Sequence, residues 1–305
     1  MKKTLIALLA LSGIAGADTT WTFDNALTSS GTKQITANAK LRESYVDGDN
    51  NTQWQTTDTS ITYVESGLIA NEAIGKYVLT ANLGQAVDLT TENKYLVLPD
   101  AYYSNGSGKL ELNYKITENG TTTSYAGTNF TVMAYVKFAS VSGEQFFFGT
   151  GSGHSRGIAF GINNGNLDVL AKSVDHNKLT STTLVKDTWY HLAFTYSNTA
   201  NLLTFYVNGD SVGSLTPSDN VSGLYTSYCP TTNEGAAIGA ASQDLVTGSI
   251  QGDFNGHIAE LKLLNSTLTQ SQILNAAHLE IIPEPTTATL SLLALAGLAA
   301  RRRRK

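Results

Sequence analysis

Apolar and polar positions alternate along this 305-residue chain in short runs rather than long ones. The clearest are KYLVLP, FTVMAYVKF, EQFFFGTG, GIAFGI, LDVLAKS, WYHLAFTYS, LLTFYVNG and HIAELKLL, separated by clusters of Gly, Asn, Asp and Ser. A two-residue period bounded by such turn residues marks β-strands, and many short strands in succession predict an all-β sandwich or barrel. Helical character is confined to TLTQSQILNAAHLE, which opens on a Ser/Thr region able to cap a helix. No fixed-period repeat, charge block or long linker divides the body, so one large antiparallel sandwich is predicted across residues 18–282.

The most specific local pattern is WYHLAFTYSNTANLLTFYVNGDSVGSL. Tyr190, Leu192, Phe194 and Tyr196 fall on one face of a strand, and Trp189, His191, Ala193 and Thr195 on the other. After the SNTAN turn, Leu203, Phe205 and Val207 alternate on a second strand. Asn208 and Gly209 tolerate positive φ and supply a two-residue turn into a third strand, DSVGSL. The prediction is a three-stranded antiparallel meander in which each strand presents one apolar face.

This run resembles the central meander of LamG-like (concanavalin A-like lectin/glucanase) jelly-roll domains, whose pattern is Trp, one residue, His, an apolar strand, a short turn, and a strand ending in Val-Asn-Gly. The resemblance continues upstream through LGQAVDLTTENKYLVLPD and FTVMAYVKFAS, and WTFDN at Trp21 to Asn25 is similar to the opening strand. Downstream, FNGHIAELKLLNSTLTQSQI is similar to the closing strand and short helix, with Phe254, Gly256, Ile258 and Glu260 keeping the alternation. The resemblance implies a jelly-roll sandwich. It does not choose among the lectins, adhesion modules, carbohydrate-binding modules and glycoside hydrolases built on that fold.

The two ends change how charge is read. MKKTLIALLALSGIAGAD has two lysines, an apolar run and the small triplet Ala15, Gly16, Ala17. That order predicts a secretory signal peptide over residues 1–17, cleaved after Ala17. At the other end, residues 283–305 combine Pro283, Glu284 and Pro285, an uncharged run from Thr286 to Ala300, and the cluster Arg301, Arg302, Arg303, Arg304 and Lys305. As a helix the uncharged run spans about 22 Å, short of the roughly 30 Å bilayer core, so it suits a transient stop in the membrane with the arginines left cytoplasmic. The three parts together resemble the PEP-CTERM sorting signal of Gram-negative bacteria, which implies processing by an exosortase-type protease after signal peptidase. The chain carries 20 Lys+Arg against 25 Asp+Glu. Lys2, Lys3 and the five terminal basic residues lie in these end segments, so the body is more acidic than the net charge of −5 indicates. Such a body repels phosphate backbones and excludes a nucleic-acid partner. With Cys229 as the single cysteine, no internal disulfide is available.

Candidate chemistry is sparse. Retaining glycoside hydrolysis needs two carboxylates about 5 Å apart, and no strand offers such a set. Glu111 has Asn113 and Lys115 as same-face neighbours, Glu118 is on the other parity, and Glu260 is flanked by Ile258 and Lys262. The chain is therefore read as non-catalytic. The fold resemblance implies a calcium site at the sandwich rim, for which Asp24, Asp253 and Glu260 are candidate ligands. NALTSSG lacks the usual loop carboxylate and Ala259 stands where another acid is common, so solvated strand-end acids are the preferred reading and calcium the alternative. The histidines 154, 176, 191, 257 and 278 are scattered, with none forming a close ligand pair, and His191 reads as a strand residue. Tyr102, Tyr103, Tyr225 and Tyr228 lie in loop-like segments, as candidates either for stacking on sugar rings or for packing over the sandwich edge. The threonine-rich stretches show no regular spacing of the kind an ice-binding array needs, and strand propensity accounts for them.

The expectation is an exported cell-envelope or extracellular-matrix protein that binds glycan or protein without catalysis, with calcium as a possible cofactor. A structural matrix component without specific ligand is the alternative, and a glycan-cleaving enzyme a further one. Intact mass of the protein from its native envelope checks the end segments: the chain begins at Asp18, and it ends near Pro285 or at Lys305 according to whether the tail is removed.

Overall fold

The computed structural model describes residues 19–24, 30–31, 38–49, 52–98, 114–118, 121–125, 129–150, 158–171, 175–197, 199–217, 236–244, 249–264 and 266–282. The signal segment with Ala17, the tail with Pro283, Glu284, Pro285 and Arg301 to Arg304, and Tyr102, Tyr103, Tyr225 and Tyr228 lie outside them, as do the two terminal helices expected there. Among the described residues no helix is long and apolar enough to cross a membrane.

All eight predicted runs form strands, and they sort into two antiparallel sheets. The first places Asp210–Leu215, Leu202–Val207, Trp189–Ser197, Phe130–Phe138, Gly256–Leu264, Thr19–Trp21 and Ser30–Gly31 side by side, with Gln85–Asp88 added along part of Gly256–Leu264 and Thr62–Glu65 paired to Gln85–Asp88. The second runs Asp175–Thr183, Asn166–Ala171, Ile158–Asn163, Glu144–Thr150, Ala236–Ile238, Lys94–Leu98, Asn38–Val46 and Thr52–Asp58. Between them lies the main core. Phe130, Phe194 and Phe205 from the first sheet meet Phe147, Phe148 and Phe160 from the second, all essentially without exposed surface. The Phe130 and Phe160 rings meet edge to face with centroids 5.7 Å apart. Burying side chains of this size stabilises the fold by about 2 kcal/mol each.

The predicted meander forms as read, with Phe194 opposite Phe205 and Thr195 opposite Thr204. Asn208 and Gly209 take φ of 52° and 84°, so both central turn residues are left-handed. Asn208 also closes the meander: its backbone N–H donates to His191 O at 2.7 Å, and its Oδ1 accepts from His191 N at 3.0 Å. The Val-Asn-Gly signature is therefore a turn that ties back to the first strand of the meander, Trp189–Ser197.

The meander differs from prediction on its second face. That face is not open to solvent but covered by the strands Ala73–Ile74, Tyr77–Leu79 and Leu279–Ile281 and the helix Gln270–Ala276. Thr269 caps the helix, accepting from Gln272 N while the Gln272 side chain accepts from Thr269 N. Met133, Tyr135, Ala193, Tyr206 and Ala259 face this outer layer and pack on Tyr77, Leu79, Ile273 and Leu279. The central strands are thus buried on both sides.

The alternation expected at Glu260 also breaks. Met133 pairs with Lys262 but Tyr135 with Ala259, so Gly256–Leu264 holds one residue more than its partner between these pairs. Glu260 occupies this bulge with φ 46°. Ile258, Leu261 and Leu263 point into the main core, and Glu260 instead faces the outer layer, 3.1 Å from Lys262 Nζ and 3.2 Å from His278 Nε2. Burial alone would raise its carboxyl pKa, but the hydrogen bond from His278 and the charges of Lys262 and His278 outweigh that and leave it below the ordinary glutamate value.

His191 lies in the same layer, 1% exposed, its ring 4.9 Å from that of Tyr135, with neither ring nitrogen hydrogen-bonded. Burial above all, then the Lys262 charge, pushes its pKa down to about 3. Above the unfolded value of about 6.5 both states are neutral; below it the unfolded chain takes a proton that the folded chain refuses. Stability therefore drops as pH falls from about 6.5 toward 3, by up to about 1.4 kcal/mol per pH unit. Urea unfolding at about pH 7.5 and about pH 5 checks this. The loss on acidification should shrink by about 2 kcal/mol in His191→Phe, and an unchanged loss contradicts a neutral buried imidazole.

Candidate functional site

A polar cleft of about 640 Å³ opens at one end of the second sheet, where three connections converge on the start of Glu144–Thr150. These are residues 139–143, the turn 163–166, and residues 252–255. The turn is a tight one: Asn163 pairs with Asn166, and Asn164 and Gly165 between them take φ of 50° and 76°. Its Asn164 exchanges two bonds with Gly143, backbone N–H to Gly143 O at 2.8 Å and Oδ1 from Gly143 N at 3.0 Å.

Gln145 locks the remaining connections. It is 3% exposed, and its Nε2 donates to Ser140 O at 2.7 Å and Ser142 O at 3.1 Å. Its Oε1 accepts from Asn255 N at 3.0 Å. One amide thus reinforces two loops that leave the paired ends Phe138 and Gly256 and are already joined by Ala139 N–H to Asn255 O at 2.8 Å. Gly252 adds a close approach: with φ 65°, it would place any Cβ 2.3 Å from the Phe146 ring.

Into this frame project the carboxylates of Glu92, Glu144 and Asp253, the amides of Asn163 and Asn164, and the hydroxyls of Ser140 and Ser142. Glu144 is oriented by two partners. Gln251 Nε2 donates to its Oε2 at 2.9 Å, and His176 Nε2 lies 3.2 Å from its Oε1. The other His176 nitrogen, Nδ1, lies 2.5 Å from Oδ2 of Asp168, a carboxylate with no exposed surface. Burial raises the Asp168 pKa and the Glu144 charge adds to this, while the His176 hydrogen bond and the charges of His176 and Lys178 pull the other way. Carboxylate, imidazole and carboxylate so form a chain from the buried Asp168 to the cleft.

The residues expected to hold calcium are not brought together. Asp24 Oδ1 accepts from Gln85 N at 3.1 Å, Glu260 is engaged by Lys262 and His278 under the helix, and Asp253 is in the cleft. A cation on Glu260 would sit beside the Lys262 ammonium. Among the described residues no group of three or more His, Cys, Asp or Glu side chains is arranged to hold a metal ion. The set Asp24, Asp253 and Glu260 therefore does not fit calcium, because each has been drawn into a different hydrogen-bonded neighbourhood. Glu144, His176, Asp168 and Gln145 escaped the sequence reading. Asp168 breaks the apolar run LDVLAKS, and a polar residue enclosed by Leu and Val was the signal available, but its partner His176 is identified only by strand register, in which Leu170 faces His176.

The fold and its long meander are matched by a family model. The model for the concanavalin A-like lectin/glucanases superfamily covers residues 112–274. The chain belongs to this superfamily. Its concanavalin A-like sandwich is similar to domain 4 of the GH43 extracellular arabinanase AbnA from Geobacillus stearothermophilus, solved in complex with arabinotriose. The two share 18% identity with a TM-score of 0.50, over 86% of this chain and 97% of that one. The CBM40 of Ruminococcus gnavus IT-sialidase, bound to α2,3-sialyllactose, matches at 16% identity and a TM-score of 0.40, over 50% of this chain and 84% of that one. A SAP-like pentraxin from Limulus polyphemus matches at 18% and 0.40, over 50% and 70%. No curated protein matches the chain.

The cleft's dependence on Gln145 is open to measurement. Gln145→Ala leaves two carbonyls and the Asn255 N–H without their partner, at a cost of about 2 kcal/mol in urea unfolding. Hydrogen exchange at Asn255 should accelerate with it, and an Asn255 amide as slow as in the wild type shows that the loops are held by something else.

Proposed function

We propose that the protein is an exported, non-catalytic glycan-binding module, and that the cleft around Glu144 is where the sugar sits. The observation that carries this reading is a polar cavity lined by carboxylate, amide and hydroxyl residues, in which Glu144 is oriented by Gln251 and His176. Sugar hydroxyls both donate and accept, and a fixed set of acceptors and donors binds them without first having to be ordered. The superfamily membership is consistent with it, and so is the arabinotriose bound to the similar arabinanase domain.

Support for a non-catalytic role comes from the two carboxylates flanking His176. Glu144 reaches the cleft, which Glu92 and Asp253 also line, but Asp168 has no exposed surface, so the two acids joined by His176 cannot act as a pair on a glycosidic bond. Delivery by the signal segment and processing at the PEP-CTERM-like tail belong to the same proposal, and place the module at the cell envelope or in extracellular matrix.

A glycan array probed with the full chain, followed by calorimetric titration with arabinotriose and the array's best ligand, tests the reading. Binding should weaken at least about tenfold, about 1.4 kcal/mol, in Glu144→Ala and stay unaltered in Thr57→Ala on the distant edge strand. No array signal at high protein concentration removes the glycan reading and leaves a structural matrix component. Release of reducing sugar from a polysaccharide removes the non-catalytic one.

A further inference from the structure

The two contacts of His176 cannot both be hydrogen bonds while its ring is neutral and both acids are ionised. Its Nδ1 lies 2.5 Å from Asp168 Oδ2 and its Nε2 3.2 Å from Glu144 Oε1. An ionised carboxylate only accepts hydrogen bonds, and a neutral imidazole has a single N–H to donate. With both acids ionised and the ring neutral, a nitrogen lone pair would face one carboxylate oxygen. Both bonds hold only if the three groups share one further proton.

The two acids respond differently when that proton leaves. Asp168 is fixed: it is fully buried in the strand Asn166–Ala171, and its second oxygen, Oδ1, has no hydrogen-bond partner. Its charge therefore leans on His176, with Lys178 acting from the same strand as His176. Glu144 has room to move: its side chain keeps 30% of its surface, and its remaining tie is the Gln251 amide. Among the described residues, the ionisable groups facing His176 are Asp168 from one strand and Glu144 from another. Asn163, with Nδ2 at 3.5 Å from Nδ1, is the neutral neighbour from the strand between them.

We propose that His176 is the positioning residue of the cleft, holding the Glu144 carboxylate in place only while the three groups share the additional proton, so that glycan affinity falls as pH rises. This rests on the reading of the cleft as the glycan site. The proton link itself does not, and the two are separable by experiment.

The test uses the full chain labelled with ¹³C and ¹⁵N, following the His176 ring nitrogens and the Glu144 carboxyl carbon from about pH 5 to about pH 9. The Glu144 signal should show a step at the midpoint of the His176 titration, and lose that step in His176→Gln. Arabinotriose, or the best array glycan, should bind about tenfold more weakly at about pH 8.5 than at about pH 5.5. Glu144→Gln should flatten the profile, because its amide N–H donates to a neutral ring. A Glu144 signal blind to the His176 titration overturns the proposal, as does equal wild-type affinity at both pH values. If no glycan binds at any pH, the affinity claim falls with the glycan reading, and the Glu144 step then reports the proton link alone.

Discussion

The structure depends on burying its central strands on both faces. Phe130–Phe138, Trp189–Ser197 and Gly256–Leu264 lie between the main core and the layer made by the helix and three short strands. A strand in that position has no solvent face on which to place polar residues. Those it carries must be paired inside, and the outer layer shows how. Tyr135 donates to Ala277 O at 2.7 Å, Thr131 to Ser266 O at 2.6 Å, and Trp189 to Ser66 O at 2.9 Å. Each of these bonds reaches from the sheet into the covering segments, so the polar residues that interrupt apolar alternation are also the ones that fasten the cover. The His191 ring makes no such bond.

The bulge at Glu260 follows from the same constraint. Along one edge, Gly256–Leu264 must serve two different neighbours, Gln85–Asp88 over its first residues and Thr19–Trp21 over its last. An extra residue in left-handed conformation falls between those two pairings and turns a carboxylate outward, toward Lys262 and His278. A glutamate there neutralises a lysine that would otherwise be enclosed beside His191.

How much of this was legible in the sequence follows from the range of the interactions. Runs such as FTVMAYVKF and LLTFYVNG carry their period locally, and their strands and the Asn208–Gly209 turn were read correctly. Edge strands such as Thr52–Asp58 and Asp175–Thr183 were not, because their Thr-, Asn- and Lys-containing polar sequence lacks an apolar face to mark the period. The second buried face was also missed. Ala193 and Thr195 are small and give no hint that a helix some 80 residues onward (from its number at Gln270) will cover them. The cleft was hidden for a related reason. Glu144, Asp168 and His176 meet through register across four strands, and Gln145 acts on loops that are adjacent only after folding. Asp24, Asp253 and Glu260 were chosen by position in a pattern, and the bulge and the loop hydrogen bonds sent them to different places.

The last described strand, Leu279–Ile281, pairs antiparallel with Tyr77–Leu79, with Ile281 opposite Tyr77 and Leu279 opposite Leu79. Residues 283–305 continue directly from it. Tension applied through that segment is borne first at the Ile281 end of a three-residue pairing, then by the capped helix, and reaches Gly256–Leu264 only afterwards. Mechanically, the outer layer is a fuse in series with the sandwich. Removing it uncovers the face that carries Met133, Tyr135 and His191.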